Sequence, residues 1–128
     1  MKTQKMLIVD DDENILNLLD KILLREGFWV IKAKSGEEAL VAIEKSIPDL
    51  CILDIVLEDM TGGELYMKIT QKAKKKNIPV IFLTGLVSSL EQEDQLSITI
   101  GEESYKTLSK PFKVEELLSS VKNLLQVK

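Results

Sequence analysis

The stretch Leu50-Cys51-Ile52-Leu53-Asp54 (residues 50–54) is an unbroken apolar run that ends in a carboxylate. Similar apolar runs occur at Met6–Val9, Phe28–Ile31 and Val80–Leu83. Short runs that are continuous, and do not alternate with polar residues, are typical of strands covered on both faces. The sequence therefore predicts a parallel sheet that is buried between two layers.

Segments with helical spacing of apolar residues separate these predicted strands. Their apolar positions are Ile15, Leu18, Leu19 and Ile22 in the first, Ala39, Leu40 and Ile43 in the second, Leu65 and Ile69 in the third, and Leu117, Leu118, Val121, Leu124 and Leu125 in the last. A strand near Tyr105–Leu108 and a fourth helix over roughly Ser88–Leu96 complete the alternation. We expect an α/β fold with a doubly wound, five-stranded parallel sheet and helices on both faces.

Local signals suggest how two of the helices begin. Ser35 followed by Glu38 is the pattern of a capping box at the start of the second helix. Gly62 and Gly63 are expected to take a positive backbone angle in the turn into the third helix.

Composition limits the classes of protein to which the chain can belong. With 128 residues, 45% hydrophobic and 30% charged, we expect a single domain over residues 1–128. The net charge of -4 argues against direct binding of nucleic acid or of an anionic membrane surface. No apolar run reaches membrane-spanning length and the N-terminus lacks a signal-peptide core, so we expect no membrane partner and a cytoplasmic location.

The scarcity of cysteine and histidine excludes several chemistries. The single cysteine, Cys51, lies within an apolar run, which favours an inert buried thiol. The chain has no histidine, which excludes histidine-based acid–base catalysis and most zinc sites.

Acidic side chains follow two of the predicted strands at the point where each strand ends. Asp10 and Asp11 come directly after Leu7-Ile8-Val9, and Asp54 ends its own run. Neighbouring parallel strands bring these carboxylates to one edge of the sheet, where unpaired like charges call for a bound cation. Mg²⁺ suits carboxylate oxygens, and we expect one of Asp10 and Asp11 to bind it directly and the other through water. Asp12 and Glu13 instead fit the start of a helix, where the macrodipole favours acids.

Two further residues are expected at the same edge of the sheet. Thr84 follows the fourth apolar run, and Lys110 follows the predicted last strand. Together with the carboxylates they predict a phosphoryl-transfer site in which Asp54 is the acceptor and Lys110 contacts a phosphoryl oxygen. Val56, two residues after Asp54, can offer a metal only its backbone carbonyl. The bond between Lys110 and Pro111 is a candidate for a cis peptide.

Five motifs in this order resemble the receiver domain of two-component response regulators, of the chemotaxis-regulator-like kind. They are LIVDD at 7–11, ILD at 52–54, GGEL at 62–65, FLTG at 82–85 and SKPF at 109–112. The resemblance covers Lys5–Leu125 and implies a flavodoxin-like (βα)5 fold with strand order 2-1-3-4-5. It also implies specific roles: an acidic metal-binding pair at Asp10 and Asp11, the phosphoacceptor at Asp54, a metal-binding carbonyl at Val56, a switch hydroxyl at Thr84 and the conserved-type lysine at Lys110.

The function implied by this resemblance is a Mg²⁺-dependent phosphorylation switch. The phosphoryl donor is a histidine kinase or a histidine phosphotransfer protein, and it must be another molecule because this chain has no histidine. The only enzymatic activity implied is self-phosphorylation and self-dephosphorylation on Asp54. Output to an unknown protein or effector domain is expected through the fourth helix, the fifth strand and the last helix, and dimerisation through that face stays open.

The chain departs from the family pattern at three points. Glu58 stands where the family usually has proline, and the interval from Thr84 to Lys110 is longer than is typical. Thr107 occupies the position of the family's switch aromatic, although Tyr105, two residues earlier, falls on the same strand face. Apolar residues at Val56 and Leu86, two positions after Asp54 and Thr84, favour a long-lived phosphoryl group.

Three other functions compete with the switch. A degenerate receiver would bind a partner without phosphorylation, and a mutation of Asp54 would leave it unaffected. An aspartyl-phosphate hydrolase of external substrates needs an acid two residues after its nucleophile, where this chain has Val56. A flavin-binding protein of similar fold needs a phosphate-binding loop after the first strand, and residues 10–13 there are all acidic.

Overall fold

A computed structural model of the chain describes residues 3–75, 77–85, 97–100 and 103–126. In chain order, the elements of these residues are β1 (Lys5–Val9), α1 (Glu13–Arg25), β2 (Trp29–Ala33), α2 (Gly36–Lys45), β3 (Leu50–Asp54), α3 (Gly62–Ala73), β4 (Val80–Thr84), β5 (Ser97–Ile100), β6 (Glu103–Ser109) and α4 (Val114–Gln126).

All the strands join one sheet in the order β2-β1-β3-β4-β6-β5. Strand β2 pairs with β1, β1 with β3, β3 with β4 and β4 with β6, and all these pairs are parallel. This confirms the five predicted parallel strands and their order 2-1-3-4-5, in which β6 is the fifth predicted strand. A sixth strand, β5, pairs antiparallel with β6 at the edge of the sheet and was not predicted. The predicted fourth helix over Ser88–Leu96, and Leu86, lie outside the described residues.

Helices cover both faces of the sheet, as predicted. Helices α2 and α3 pack on one face around a core that includes Leu53 and Phe82. Helices α1 and α4 pack on the other face around a core that includes Ile8 and Ile52. Strands β3 and β4 are buried along their whole length, which explains why their sequences are continuously apolar.

The starts of the helices agree in part with the sequence signals. Asp12 caps α1 by accepting the N–H of Asn14, as its place at a helix start predicted. Ser35 caps α2 by accepting the N–H of Glu38, but the Glu38 carboxylate accepts the N–H of Lys34 and not that of Ser35. The predicted box is therefore only half formed. A complete capping box stands instead at the start of α3, between Thr61 and Glu64.

Gly62 is required for a reason other than the predicted one. It is the first residue of α3, and neither Gly62 nor Gly63 has a positive φ, so the expected backbone angle is wrong. A side chain at Gly62 would overlap the backbone carbonyl oxygen of Asp54. Only glycine lets the start of α3 approach the end of β3 this closely.

The remaining expectations from the sequence concern one peptide bond, the cysteine and the length of the helices. The peptide bond between Lys110 and Pro111 is cis, as the sequence suggested. Cys51 is buried in β3, which confirms the predicted buried thiol, and burial raises the pKa of that thiol to about 12. Among the described residues, no helix is both long and apolar enough to cross a membrane.

Candidate functional site

The predicted carboxylates meet at the ends of two neighbouring strands. Strands β1 and β3 are paired with Val9 opposite Leu53, so the residues that follow, Asp10 and Asp54, lie side by side. One carboxylate oxygen each from Asp10, Asp11 and Asp54 lies within 4.8 Å of the others. Asp10 and Asp54 are buried, whereas Asp11 is exposed at the rim. The cluster therefore consists of two buried carboxylates and one carboxylate that is accessible to solvent.

Lys110 provides a cation to this cluster. Its Nζ lies 2.8 Å from Oδ2 of Asp10 and 3.3 Å from Oδ2 of Asp54. The other oxygen of Asp10 accepts the N–H of Asp12 at 2.9 Å, which fixes the orientation of that carboxylate. One ammonium thus serves two buried acids, and the three acids of the cluster keep an excess of negative charge.

The pKa of Asp54 reflects this excess. Burial, followed by the neighbouring Asp10, raises the pKa of Asp54, and Lys110 together with the N–H of Val56 offsets the rise only in part. Burial alone would lower the pKa of Lys110, but hydrogen bonding and attraction to Asp10 and Asp54 outweigh burial and hold it above its usual value. Lys110 therefore stays protonated, and the negative charge of the Asp54 carboxylate is only partly compensated by its surroundings.

Thr84 ends β4 at the same edge of the sheet. In the register of β3 and β4, Asp54 pairs with Leu83, and Thr84 is the next residue along β4. Thr84 is buried, and its backbone carbonyl accepts the N–H of Lys110 at 2.8 Å. The backbone of β4 therefore helps to hold Lys110 beside the carboxylates.

Residues 55–61, which we call the acceptor loop, connect Asp54 to α3. The N–H of Val56 lies 3.3 Å from Oδ1 of Asp54, and Val56 itself forms an isolated antiparallel bridge with Thr61. The side chain of Val56 is half exposed, so only its backbone is held close to the site.

Asp59 connects the acceptor loop to α2, and nothing in the sequence pattern predicted this contact. Its carboxylate accepts the N–H groups of Gly36 and Glu37 at the start of α2. An acidic residue in a loop carries no sequence signal for a partner more than 20 positions away. Its role becomes visible only when the loop and the helix are seen together.

The position of the family's switch aromatic is filled by a buried threonine, Thr107. Tyr105 lies on the same face of β6 and packs edge-on against Tyr66 at 5.2 Å and Phe82 at 6.2 Å between ring centroids. The nearest aromatic on this strand is therefore part of a three-ring cluster between α3 and the sheet.

The donor set fits a small, hard divalent cation. Three carboxylates offer oxygen atoms, the ligand type that Mg²⁺ prefers, and the exposed Asp11 leaves the cluster open to water. Burial, and then the charge of Asp10, raise the pKa of Asp54 although the Lys110 ammonium lies beside it. An additional cation would relieve that charge.

The chain matches a known protein family along most of its length. The model of the response regulator receiver domain matches residues 6–122. The chain is 37% identical to the alkaline phosphatase synthesis transcriptional regulatory protein PhoP of Bacillus subtilis, over 96% of this chain and 49% of that protein. It is 38% identical to the regulatory protein VanR of Enterococcus faecium, over 97% of this chain and 51% of that protein.

A solved structure shows the same similarity for the fold. The chemotaxis protein CheY4 of Vibrio cholerae superimposes with a TM-score of 0.81 at 30% identity, covering 97% of this chain and all of that one. The chain spans about half the length of the curated regulators it matches. Because the family model covers nearly all of the chain and the site residues occupy one edge of the matching fold, the chain belongs to the response regulator receiver domain family of two-component systems.

Proposed function

We propose that the protein is a phosphorylation-activated switch in which Asp54 accepts a phosphoryl group from a partner histidine kinase or histidine phosphotransfer protein in a Mg²⁺-dependent step. The observation that carries this proposal is the cluster of Asp10, Asp11 and Asp54 with Lys110, in a chain of the receiver family. Receiver domains are signalling domains, so the only catalysis proposed is self-phosphorylation and self-dephosphorylation on Asp54.

The residues of the cluster divide into metal ligands and reacting groups. Asp10, Asp11, Asp54 and the backbone carbonyl of Val56 would hold Mg²⁺, which supplies positive charge beside the phosphoryl oxygens when it is bound. A carboxylate oxygen of Asp54 forms the new bond to phosphorus while the bond from phosphorus to the donor's leaving group breaks. Lys110, already 3.3 Å from Asp54, offers its ammonium to the charge that arrives.

Thr84 and Lys110 are proposed to carry the change from the site to the output surface. The phosphoryl group adds roughly -1.5 to -2 charge at Asp54. The Thr84 hydroxyl and Lys110 would draw toward it, which shifts the population of the surface built from the predicted fourth helix, β6 and α4. We assign the output to that surface, and dimerisation through it stays open.

The partners follow from this chemistry. The phosphodonor lies outside these 128 residues, which contain no histidine. The output is either a protein that binds the switched surface or an effector domain, as the transcriptional regulators among the relatives suggest. We propose no direct contact of this domain with nucleic acid or membrane, a cytoplasmic location, and a single receiver domain over residues 1–128.

A second candidate is a degenerate receiver that binds its partner without phosphorylation. Thr107 in place of the switch aromatic favours it, together with the packing of Tyr105 between Tyr66 and Phe82. The buried carboxylates and Lys110 favour the switch, because a passive module gains nothing from an incompletely compensated acid at Asp54.

Intact mass after incubation with acetyl phosphate separates the two candidates. The switch predicts a gain of one phosphoryl group that requires Mg²⁺ and is lost in Asp54→Asn. After the donor is removed, slow loss of the added mass would support the idea that the apolar Val56 and Leu86 hinder hydrolytic water. Absence of any gain, with and without Mg²⁺, would reject the switch in favour of the passive module.

A further inference from the structure

The tip of the acceptor loop is fastened to the N-terminus of a neighbouring helix. Oδ1 of Asp59 accepts the N–H of Gly36 and Oδ2 accepts the N–H of Glu37, each at 3.0 Å. Gly36 and Glu37 open α2, so their N–H groups have no acceptor within the helix. A carboxylate is well suited to this place because the helix macrodipole favours negative charge there. The same two hydrogen bonds lower the pKa of Asp59, which keeps it ionised.

Apolar packing accompanies this contact. Met60 follows Asp59, and a methyl group added at Gly36 would lie 2.5 Å from the sulfur of Met60. The loop tip therefore meets the first residue of α2 through both a charged and an apolar contact. The remaining cap of α2 is local, since Ser35 accepts the N–H of Glu38.

The base of the acceptor loop is held by different bonds. The carbonyl of Ile55 accepts the N–H of Gly62 at 2.7 Å, the N–H of Leu57 donates to Met60 at 3.1 Å, and Val56 bridges Thr61. These bonds join residues of the loop and its flanks to one another. The tip, in contrast, is joined to another element of the fold, because Asp59 accepts two N–H groups of α2.

The backbone of Asp54 is held by the sheet and not by the loop tip. It pairs with Leu83 in the sheet, and the next residue, Ile55, donates its N–H to the Leu83 carbonyl at 2.9 Å. Val56, in contrast, lies beyond the last bond to the sheet. Loss of the tip contact should therefore move the Val56 backbone, including the N–H that donates to Oδ1 of Asp54, while the sheet keeps the Asp54 backbone in place and Lys110 keeps its contact with Oδ2.

We propose that Asp59 is a positioning residue that clamps the acceptor loop to α2 and thereby orients the Val56 backbone for cation binding. The clamp rests on the proposed function, in which Val56 offers its carbonyl to Mg²⁺. It acts on the affinity for the cation, and not on the intrinsic reactivity of Asp54.

Calorimetric titration with Mg²⁺ tests the clamp directly. Asp59→Ala should bind Mg²⁺ about tenfold more weakly than the wild-type protein, at the lower end of the loss usual for residues that hold a metal ligand in place. Asp59→Asn keeps one oxygen that can accept a hydrogen bond and should fall between the two.

Two control variants separate the clamp from simpler explanations. Glu58→Ala removes the same charge from the adjacent position, where the side chain makes no hydrogen bond or ion pair with any described residue. Ser35→Ala removes the other cap of α2 without touching the acceptor loop. Both variants should bind Mg²⁺ within about twofold of wild type, because a weak surface charge and a helix cap do not position Val56.

Phosphorylation by acetyl phosphate provides a second measurement. In Asp59→Ala the Mg²⁺ concentration for half-maximal rate should rise by the same factor as the dissociation constant, while the rate at saturating Mg²⁺ stays within about twofold. Hydrogen exchange adds a measurement without metal: the amides of Gly36 and Glu37 should exchange faster in Asp59→Ala than in Glu58→Ala.

The outcomes separate the clamp from the function on which it rests. Equal Mg²⁺ affinity in Asp59→Ala and Glu58→Ala would overturn the clamp, as would an equal loss in Ser35→Ala. A wild-type protein that binds Mg²⁺ but accepts no phosphoryl group would reject the proposed function, and the titrations would still decide for or against the clamp.

Discussion

Asp54 is an acid whose environment only partly accommodates its charge. Burial and the adjacent Asp10 disfavour the carboxylate, and Lys110 offsets them incompletely. The sequence could place Asp10, Asp54, Thr84 and Lys110 together because each directly follows or ends a strand, and parallel strands share an edge. It could not find Asp59, whose hydrogen bonds cross from the acceptor loop to α2.

The first prediction concerns the stability of Asp54→Asn without metal. The pKa of Asp54 is higher in the folded state than in the unfolded state. The ionised carboxylate therefore lowers the free energy of unfolding at pH values above the folded-state pKa and has no such effect at pH values below the unfolded-state pKa. At neutral pH and in the presence of a chelator, Asp54→Asn should be more stable than wild type by about 1 kcal/mol. The advantage should shrink as the pH falls through the folded and then the unfolded pKa.

Urea unfolding between neutral and acidic pH measures this difference. Asp59→Asn is the matched control with the opposite sign, because hydrogen bonds from Gly36 and Glu37 lower the pKa of Asp59. Its carboxylate adds stability above the unfolded pKa, so the variant should be less stable than wild type at neutral pH. If Asp54→Asn were also less stable at neutral pH, Asp54 would not carry the uncompensated charge described above.

The strands and helices were predictable where their pattern is long or buried. Continuous apolar runs identified β3 and β4, and periodic apolar residues identified α1 and α4. Strand β5, with the sequence Ser-Ile-Thr-Ile, was missed because four alternating residues are too few to distinguish an edge strand from a loop. Caps were predictable only to within a residue, since Glu38 can reach the N–H of Lys34 as well as that of Ser35.

The junction between β3 and α3 yields a second prediction. A methyl group at Gly62 would overlap the carbonyl oxygen of Asp54, and that oxygen belongs to a strand that cannot easily move. Gly62→Ala should therefore destabilise the protein by about 2 kcal/mol. Gly85→Ala is the control, because a methyl group there meets no atom of the described residues within 4 Å and φ lies outside the left-handed range. Indistinguishable urea midpoints for the two variants would refute the close approach.

At the scale of the whole molecule, the sheet holds a fully buried strand near its centre. Strand β3 lies between β1 and β4, and helices cover it on both faces. Cys51 sits in that strand with no exposed surface, and burial raises its thiol pKa to about 12. The architecture of five parallel strands was predictable because their order follows from the family resemblance, whereas the added edge strand is a local extension beyond it.

Alkylation of Cys51 should report unfolding of the whole domain. In the native protein the thiol should react with iodoacetamide only when the sheet opens, so its labelling rate should rise with urea in parallel with the fraction unfolded. Mass spectrometry after timed labelling measures this rate, and a denatured sample provides the fully reactive control. Rapid labelling of the native protein would show that the centre of the sheet opens locally.

The location of the phosphoryl group tests the central claim most directly. Reduction of the phosphorylated protein with borohydride converts an aspartyl phosphate to homoserine, and peptide sequencing by mass spectrometry then identifies the modified position. We predict homoserine at position 54 alone, formed only when Mg²⁺ is present during phosphorylation. Modification at Asp10 or Asp11, or at no aspartate, would contradict the assignment of Asp54 as the phosphoacceptor.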